Sequence, residues 1–359
     1  MIFFDNIVFS LQRAGGVSIV WKELISRIIR SDFSCCFVEY EGCENNIFRN
    51  KIDIPKEKII KKSAFLLKFK RYFNPKIKES SPFIFHSTYY RYSQNKKAIN
   101  ITTVHDFTYE YYTRGLQKWV HCRQKHAAIR NSDYVICISE TTKRDLLKFL
   151  PDTNPEKIQV IYNGVSDEYC VLLKIEIEKT QQRYGNFALF VGFRSGYKNF
   201  ENAVLSVKNT DLNLLIVGGE LTKAERLFVT NELGENRFFA LTRIPNNELN
   251  VLYNAAHCLL YLSLYEGFGI PVLEAQRAGC PVVALNVPSV AEIIGDKQML
   301  VQKNSAKEIV EKINSLNNIE TRNTVISLGL ENAKKFSWEK TAKETFDLYK
   351  KIEKRIETR

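Results

Sequence analysis

The sequence predicts an α/β protein built on parallel sheets, and three features carry the prediction. Apolar runs of strand length recur along the chain, each followed by a turn, most of them glycine-bearing, and then by a stretch with helical spacing of apolar residues. The clearest unit starts with the run from Cys258 to Leu264 and the turn Gly267-Phe268-Gly269. A helix opened by Pro271 and stopped by Gly279 and Pro281 leads to a second strand, Val282 to Leu285. The 359-residue length suits about two domains with ample core.

Composition bounds the function. The chain is 45% hydrophobic and 26% charged, ordinary for a soluble globular protein. Its 52 basic and 40 acidic residues leave a net charge of +12, which suits nucleic acid, an anionic membrane or phosphorylated substrates. The eight cysteines form no C-x-x-C pair and no zinc spacing with histidine, so reduced thiols and a cytoplasmic location are expected. Asp5 falls early in the N-terminal MIFFDNIVF with no basic region before it, which argues against a signal peptide. No run of 18 apolar residues predicts a membrane span. There is no Asp-x-Asp triplet to present a divalent ion, so metal-independent chemistry is expected.

In the first half, residues 1–9 read as a strand, and Gly15-Gly16 open a helix with apolar Ile19, Val20, Leu24, Ile25 and Ile28. The pattern is not G-x-G-x-x-G, which argues against a dinucleotide-dependent dehydrogenase. Residues 56–78 hold nine Lys or Arg among 23, with Phe65, Leu66, Leu67, Phe69, Tyr72 and Phe73 interleaved. That is a basic amphipathic segment of the kind that lies on anionic membranes, such as an inner leaflet, at roughly 1 kcal/mol per basic residue. No nucleic-acid motif accompanies the charge. Short strands at 83–85 and 101–104 end in the turns His86-Ser87-Thr88 and His105-Asp106-Phe107. A helix over 120–131 and the strand DYVICIS follow, and Ser139 caps the next helix. Tyr162-Asn163-Gly164 is a turn, and the charged stretch after it reads as an interdomain linker.

In the second half, the strand FALFVG leads into a loop with Arg194 and Lys198, then a helix expected to be capped by Asn199. Two cations before a helix N-terminus suit a diphosphate and a departing nucleoside diphosphate. The strand LNLLIVGGE ends at Gly218 and Gly219, and RIPNNELNVLYNAA reads as a loop and helix. Glu266 and Glu274 flank the glycine turn of the clearest unit. Carboxylates there can accept from sugar hydroxyls at roughly 1.5–3 kcal/mol per bond, so the local chemistry reads as phosphate plus polyol, a nucleotide sugar. In the closing helix Trp338, Ala342, Phe346, Tyr349, Ile352 and Ile356 share one face.

The pair Glu266-x7-Glu274 within YEGFGIPVLEAQRAGCPVVA resembles the donor-site signature of retaining glycosyltransferases of the GT-B fold, family 4. The resemblance implies two Rossmann-like α/β domains facing across a cleft, at 1–166 for the acceptor and 167–335 for the nucleotide sugar, with a helix over 336–359 crossing back to the first. By match, Glu274 would hold the donor ribose and Glu266 would lie near the transferred sugar and diphosphate. The backbone of Gly267, Phe268 and Gly269 would line the sugar and phosphates, and Gly15-Gly16 would face the donor phosphate. TTVHDFTYE resembles the histidine turn whose histidine, here His105, contacts the transferred sugar, with Asp106 fixing the turn and His86 a lesser candidate. Arg194 and Lys198 match the arginine and lysine of the donor loop, Gly218 would sit near the nucleoside, Ile244 would touch the base through its backbone, and Ser289 would contact phosphate. Three departures are visible: Leu262 and Tyr109 where the family often has proline, and Arg194 one place late.

The implied function is retaining transfer of a hexosyl unit to a hydroxyl of a surface polysaccharide or lipopolysaccharide, with an oligosaccharide or lipid-linked sugar as acceptor. GDP-mannose is the expected donor, with a UDP-hexose next. The nucleotide sugar is a substrate, and no cofactor, metal or nucleic acid is expected. The alternatives are a sugar-nucleotide epimerase on the same fold and a non-catalytic carbohydrate- or polyanion-binding module.

Overall fold

The computed structural model describes residues 1–357. Two compact units emerge, Met1–Gly164 with the chain from Trp338 onward, and Val165–Ser337. The second unit is closed at its ends by a parallel bridge between Val165 and Ser337 and by the Val165 N–H donating to the Phe336 carbonyl. The units therefore part at 164/165 and 337/338 rather than at 166/167 and 335/336.

The first unit holds a seven-stranded sheet: β1 (Ile2–Asp5), β2 (Cys35–Tyr40), β3 (Ile59–Lys62), β4 (Phe83–Ser87), β5 (Ala98–Val104), β6 (Tyr134–Cys137) and β7 (Ile158–Val160). Every pairing is parallel, in the order β3-β2-β1-β4-β5-β6-β7. The second unit holds six: β8 (Phe187–Val191), β9 (Asn213–Gly218), β10 (Phe238–Thr242), β11 (Cys258–Tyr261), β12 (Val282–Leu285) and β13 (Leu300–Val301). These too are all parallel, in the order β10-β9-β8-β11-β12-β13. Parallel strands need a long crossover each, and helices supply most of them here, as the strand–turn–helix rhythm predicts, while β2 and β3 are joined through short 3-10 turns.

The core of the first unit is aromatic. Phe4 stacks on Phe37 at 5.4 Å and meets Trp21 and Tyr349 edge-on at 6.4 and 6.2 Å. Tyr349, Ala342 and Ile352 come from the closing helix Trp338–Glu357, so its apolar face completes this core. His86 is part of it: fully buried in β4, its ring bonds the Tyr349 hydroxyl at 2.7 Å and the Thr103 hydroxyl at 2.9 Å. Burial first, and then His105, push its pKa down to about 3, so it is a neutral core histidine and not a site residue.

Local expectations fail where distant side chains intervene. Residues 1–9 are not one strand: the Val8 N–H donates to the Thr88 hydroxyl at 3.0 Å and a short helix, Val8–Leu11, begins there. The stretch after Gly164 is not a linker but holds the helix Lys174–Tyr184, its entry tied down by Asn250 and Asn254, which accept from the Cys170 and Leu172 N–H groups. Residues 56–78 hold the short 3-10 turn Lys56–Lys58, β3 and the four-residue helix Leu67–Lys70.

Between β1 and β4 the first sheet changes direction, and an ion pair fills the place. Arg91, 2% exposed, donates twice to the fully buried Asp5 and to the Tyr40 hydroxyl at 2.8 Å, and the Ser87 hydroxyl adds a third bond to Asp5 at 2.8 Å. Removing one member of such a pair strands the other charge, at a cost of about 3–5 kcal/mol. Asp5→Asn should therefore lower the unfolding free energy of the first unit by about that amount in urea titrations, and a loss below about 1 kcal/mol would show that the pair is not desolvated.

Candidate functional site

In an open parallel sheet the crossovers diverge where the strand order reverses, and the loops there leave a crevice at the carboxyl ends of the strands. In the second unit the reversal lies between β8 and β11. The loop after β8 carries Arg194 and Lys198, and the loop after β11 carries Glu266 and Gly267-Phe268-Gly269. The Lys198 ammonium donates to the Glu266 carboxylate at 2.6 Å, with the two side chains 18% and 13% exposed. The Tyr261 hydroxyl also bonds Glu266, and the Leu264 N–H donates to the Tyr197 carbonyl at 2.7 Å, which stitches the two loops together. Gly269 has φ +131, a conformation that side chains resist, and Phe268 turns inward onto Phe336, leaving only its backbone to the loop.

Arg194 is oriented rather than loose. Its Nε donates to Glu225 at 2.9 Å and its Nη2 to the Glu220 carbonyl at 2.6 Å. The third nitrogen, Nη1, is buried with no hydrogen-bond partner, in a side chain only 6% exposed. Burial pushes the Glu225 carboxyl up, but bonds from Arg194 and Thr222 outweigh it and hold the group below its ordinary range. Gly218 stands beside this guanidinium: a Cβ there would lie 3.4 Å from Nη1 and 2.4 Å from the Gly192 carbonyl oxygen, so the close approach of the two strand ends demands glycine.

Glu274 lies in the helix Ile270–Arg277, 8% exposed, and accepts from the Tyr253 hydroxyl at 3.0 Å and from Tyr169. Burial raises its pKa to about 7 against the opposing tyrosine bonds. Ser289, on the helix after β12, is 1% exposed and its hydroxyl has no partner. Ile244 follows Arg243, whose φ of +57 is costly for a side-chain-bearing residue; such strain gathers at binding loops. Asn199 does not cap its helix: its φ is +59 and its amide donates to Asn304 at 2.6 Å.

The structure thus joins Lys198 directly to Glu266, and sets Arg194 against Gly218, within the second unit. Gly15, Gly16 and His105 belong to the first. Gly15 is extended and precedes the helix Gly16–Ile28. Burial lowers the His105 pKa to about 4 despite nearby Asp106, so its imidazole is neutral at pH 7. Asp106 accepts the Thr108 N–H at 2.8 Å and so shapes the turn. Sequence reasoning missed Glu225, Tyr169, Tyr253 and Tyr261; the one signal the sequence offers is the Thr222-x-x-Glu225 spacing of a capping box, which the structure forms and which says nothing of the hold on Arg194. Among the described residues, Glu110, Cys122 and His126 are close enough to share a metal, but Lys125 already donates to Glu110 at 2.6 Å, and its charge opposes a cation.

The buried carboxylate gives a stability prediction. A carboxyl whose pKa rises from 4.5 to about 7 on folding keeps its proton longer in the folded state, so stability falls as pH climbs from about 4.5 through 7. At pH 8 the penalty is on the order of 3 kcal/mol. Glu274→Gln should therefore melt above the wild type at pH 8 and level with it near pH 4, and an equal or lower melting temperature at pH 8 would show that the carboxylate is well solvated.

The comparisons with known proteins agree with this architecture. The family "Glycosyl transferases group 1" matches residues 174–336, and "Glycosyltransferase Family 4" matches residues 14–169. The chain is 25% identical over 291 residues to the O-antigen chain mannosyltransferase B of Escherichia coli, covering 76% of each protein. It is 28% identical to an uncharacterised glycosyltransferase of Methanocaldococcus jannaschii over 94% of this chain and 95% of that one. Its fold is similar to the crystal structure of Anabaena HepE in complex with UDP and glucose, with TM-score 0.75 at 16% identity and coverage of 98% and 99%. With the two matches following one another along most of the chain, and two parallel α/β sheets under them, the protein belongs to the family 4, group 1 glycosyltransferases of GT-B fold and is a sugar-transferring enzyme.

Proposed function

We propose that the crevice between β8 and β11 holds a nucleoside diphosphate hexose, with GDP-mannose as donor, and that the enzyme transfers the hexosyl unit with retention to a hydroxyl of a surface polysaccharide or lipopolysaccharide precursor. The observation that carries the reading is Arg194: it is clamped by Glu225 and Glu220 on two nitrogens, while the third is a buried donor with no partner, on the loop that also carries Lys198 and its bond to Glu266. An aimed, desolvated guanidinium nitrogen suits a phosphate oxygen, and Ser289 offers a second such donor. Glu274, fixed by two tyrosine hydroxyls, suits the ribose diol. The mannosyltransferase relative supports the choice of sugar.

In the reaction the acceptor oxygen bonds to the sugar's anomeric carbon on the face from which the diphosphate departs. The electron pair of the breaking C–O bond goes to the diphosphate, and a diphosphate oxygen takes the acceptor's proton. Arg194 and Lys198 stabilise the charge that develops there, and Glu266 keeps the Lys198 ammonium in place. Aimed donors of this kind are worth about 10²–10³ in rate each. No metal or cofactor takes part.

Nucleoside diphosphate release from GDP-mannose, UDP-glucose, UDP-galactose and UDP-N-acetylglucosamine tests this. GDP-mannose should be turned over, EDTA should change nothing, Lys198→Ala should lower kcat about 10²–10³-fold, and Glu274→Ala should abolish donor binding. Turnover of a UDP-hexose instead replaces the donor; product formed with no acceptor present would indicate an epimerase; an inverted anomeric configuration by NMR would refute the mechanism. Silence on every donor and on the free nucleotides would favour a binding module. Donor affinity should also weaken as pH falls below about 7, where Glu274 takes up its proton, and a flat profile would remove the ribose assignment.

A further inference from the structure

Two charged side chains at the carboxyl edge of the second sheet stand without partners. Arg243 directly follows β10, and Glu220 stands two residues past β9; both are exposed. Their strands are neighbours. Thr242 registers with Gly218, so Arg243 and Gly219 lie level, about 4.8 Å apart, with Glu220 the next residue. Among the described residues no ion pair joins the two charges, and neither side chain has a hydrogen bond. Each is placed by its backbone instead. Arg243 takes the left-handed conformation, φ +57, and no bond of its side chain offsets the cost. Glu220 is anchored by its carbonyl, which accepts from Arg194 Nη2 at 2.6 Å. Between them, a Cβ on Gly219 would meet nothing within 4 Å, so the glycine leaves open space.

This place lies beside the diphosphate end of the proposed site. The unbonded Arg194 Nη1 is next to Gly218, and in the strand order β10-β9-β8 the ends of β8 and β10 are two spacings apart, about 10 Å. That is the reach from the phosphates of one nucleotide to its base. A guanidinium and a carboxylate held apart over open space suit a planar group with two adjacent acceptors on one edge and two adjacent donors on another. Guanine has them: O6 and N7 accept, while N1–H and the N2 amino group donate, and each edge can pair bidentately. Uracil has one donor between two carbonyls and matches neither side chain. Adenine sets its N6 amino group against the arginine. Two merely solvated charges would leave the strain at Arg243 unexplained. We infer that Arg243 and Glu220 read the base of the donor, Arg243 on the O6/N7 edge and Glu220 on the N1/N2 edge, and so select a guanine nucleotide over a uracil one. This rests on the crevice being a nucleotide-sugar site and names the side chains that choose its nucleotide.

Calorimetric binding of free nucleoside diphosphates tests it without turnover. The wild type should bind GDP at least about tenfold more tightly than UDP. The analogues 7-deaza-GDP, which lacks N7, and IDP, which lacks the N2 amino group, should fall between. Arg243→Ala should lose about tenfold for GDP, bind GDP and 7-deaza-GDP alike, and keep the wild-type affinity for UDP. Glu220→Ala should bind GDP and IDP alike. Arg243→Gly, which relieves the left-handed strain, should melt above the wild type and still lose the preference for GDP, so the loss is not misfolding. Equal affinity of the wild type for UDP and GDP, a preference that survives both alanine variants, or an Arg243→Ala protein that weakens both nucleotides alike, overturns the proposal. Lys198→Ala reports on the diphosphate end and should weaken both nucleotides. Lys198-dependent binding with no preference for GDP leaves the nucleotide-sugar reading standing and removes this one; no binding of either nucleotide removes both.

Discussion

The bond between Lys198 and Glu266 joins the two loops that leave the second sheet in opposite directions. A parallel sheet cannot close its carboxyl edge by itself, because each strand must hand over to a crossover that turns away. At the place where successive crossovers part, nothing in the backbone ladder holds the loops in register. A charge-assisted bond between largely desolvated partners does so, with the Tyr261 hydroxyl on the same carboxylate and a backbone bond from Leu264 to Tyr197 beside it. The glycines then serve a defined purpose: Gly269 takes a φ closed to other residues, and Gly218 lets a neighbouring carbonyl approach where a methyl would collide.

Around this bond the second unit carries features that cost stability. Glu274 is buried among tyrosines at the expense of its charged form, Arg194 keeps one buried nitrogen unsatisfied, Ser289 keeps a buried hydroxyl unsatisfied, and Arg243 sits in a strained conformation before Ile244. Each is minor alone and each is unexpected in a purely structural domain, where buried polar groups find partners. Their gathering at one sheet edge is what a preorganised polar site requires: donors fixed and desolvated before charge arrives, so that little reorganisation accompanies the reaction. The first unit treats its own reversal point differently. There Asp5 and Arg91 satisfy one another completely, and an open groove lies to one side, along β1 to β3.

The units made of local punctuation were legible in the sequence. Pro271, Gly279 and Pro281 bound a helix that runs Ile270–Arg277, and Val282 to Leu285 are β12 as read. What the sequence hid was decided by partners far along the chain. Glu225 clamps Arg194 from 31 residues away, Tyr253 holds Glu274 from 21, and Asn304 draws off the Asn199 side chain from 105, undoing an expected cap. The helix Lys174–Tyr184 lacks a strong apolar face, and amides on another helix tie down its entry, so its segment looked like a linker. His86 and His105 end neighbouring strands and look alike in sequence. Only the packing of Phe4, Trp21 and Tyr349 shows that one of them is core.

The most direct measurement is a crystal structure of the protein with GDP or UDP bound. The account predicts diphosphate oxygens within hydrogen-bonding distance of Arg194 Nη1, Lys198 Nζ and Ser289 Oγ, and ribose hydroxyls on Glu274, with the Glu225–Arg194 clamp intact. A nucleotide bound elsewhere, or one held in the crevice while Arg194 Nη1 and Ser289 Oγ stay unbonded, would contradict it.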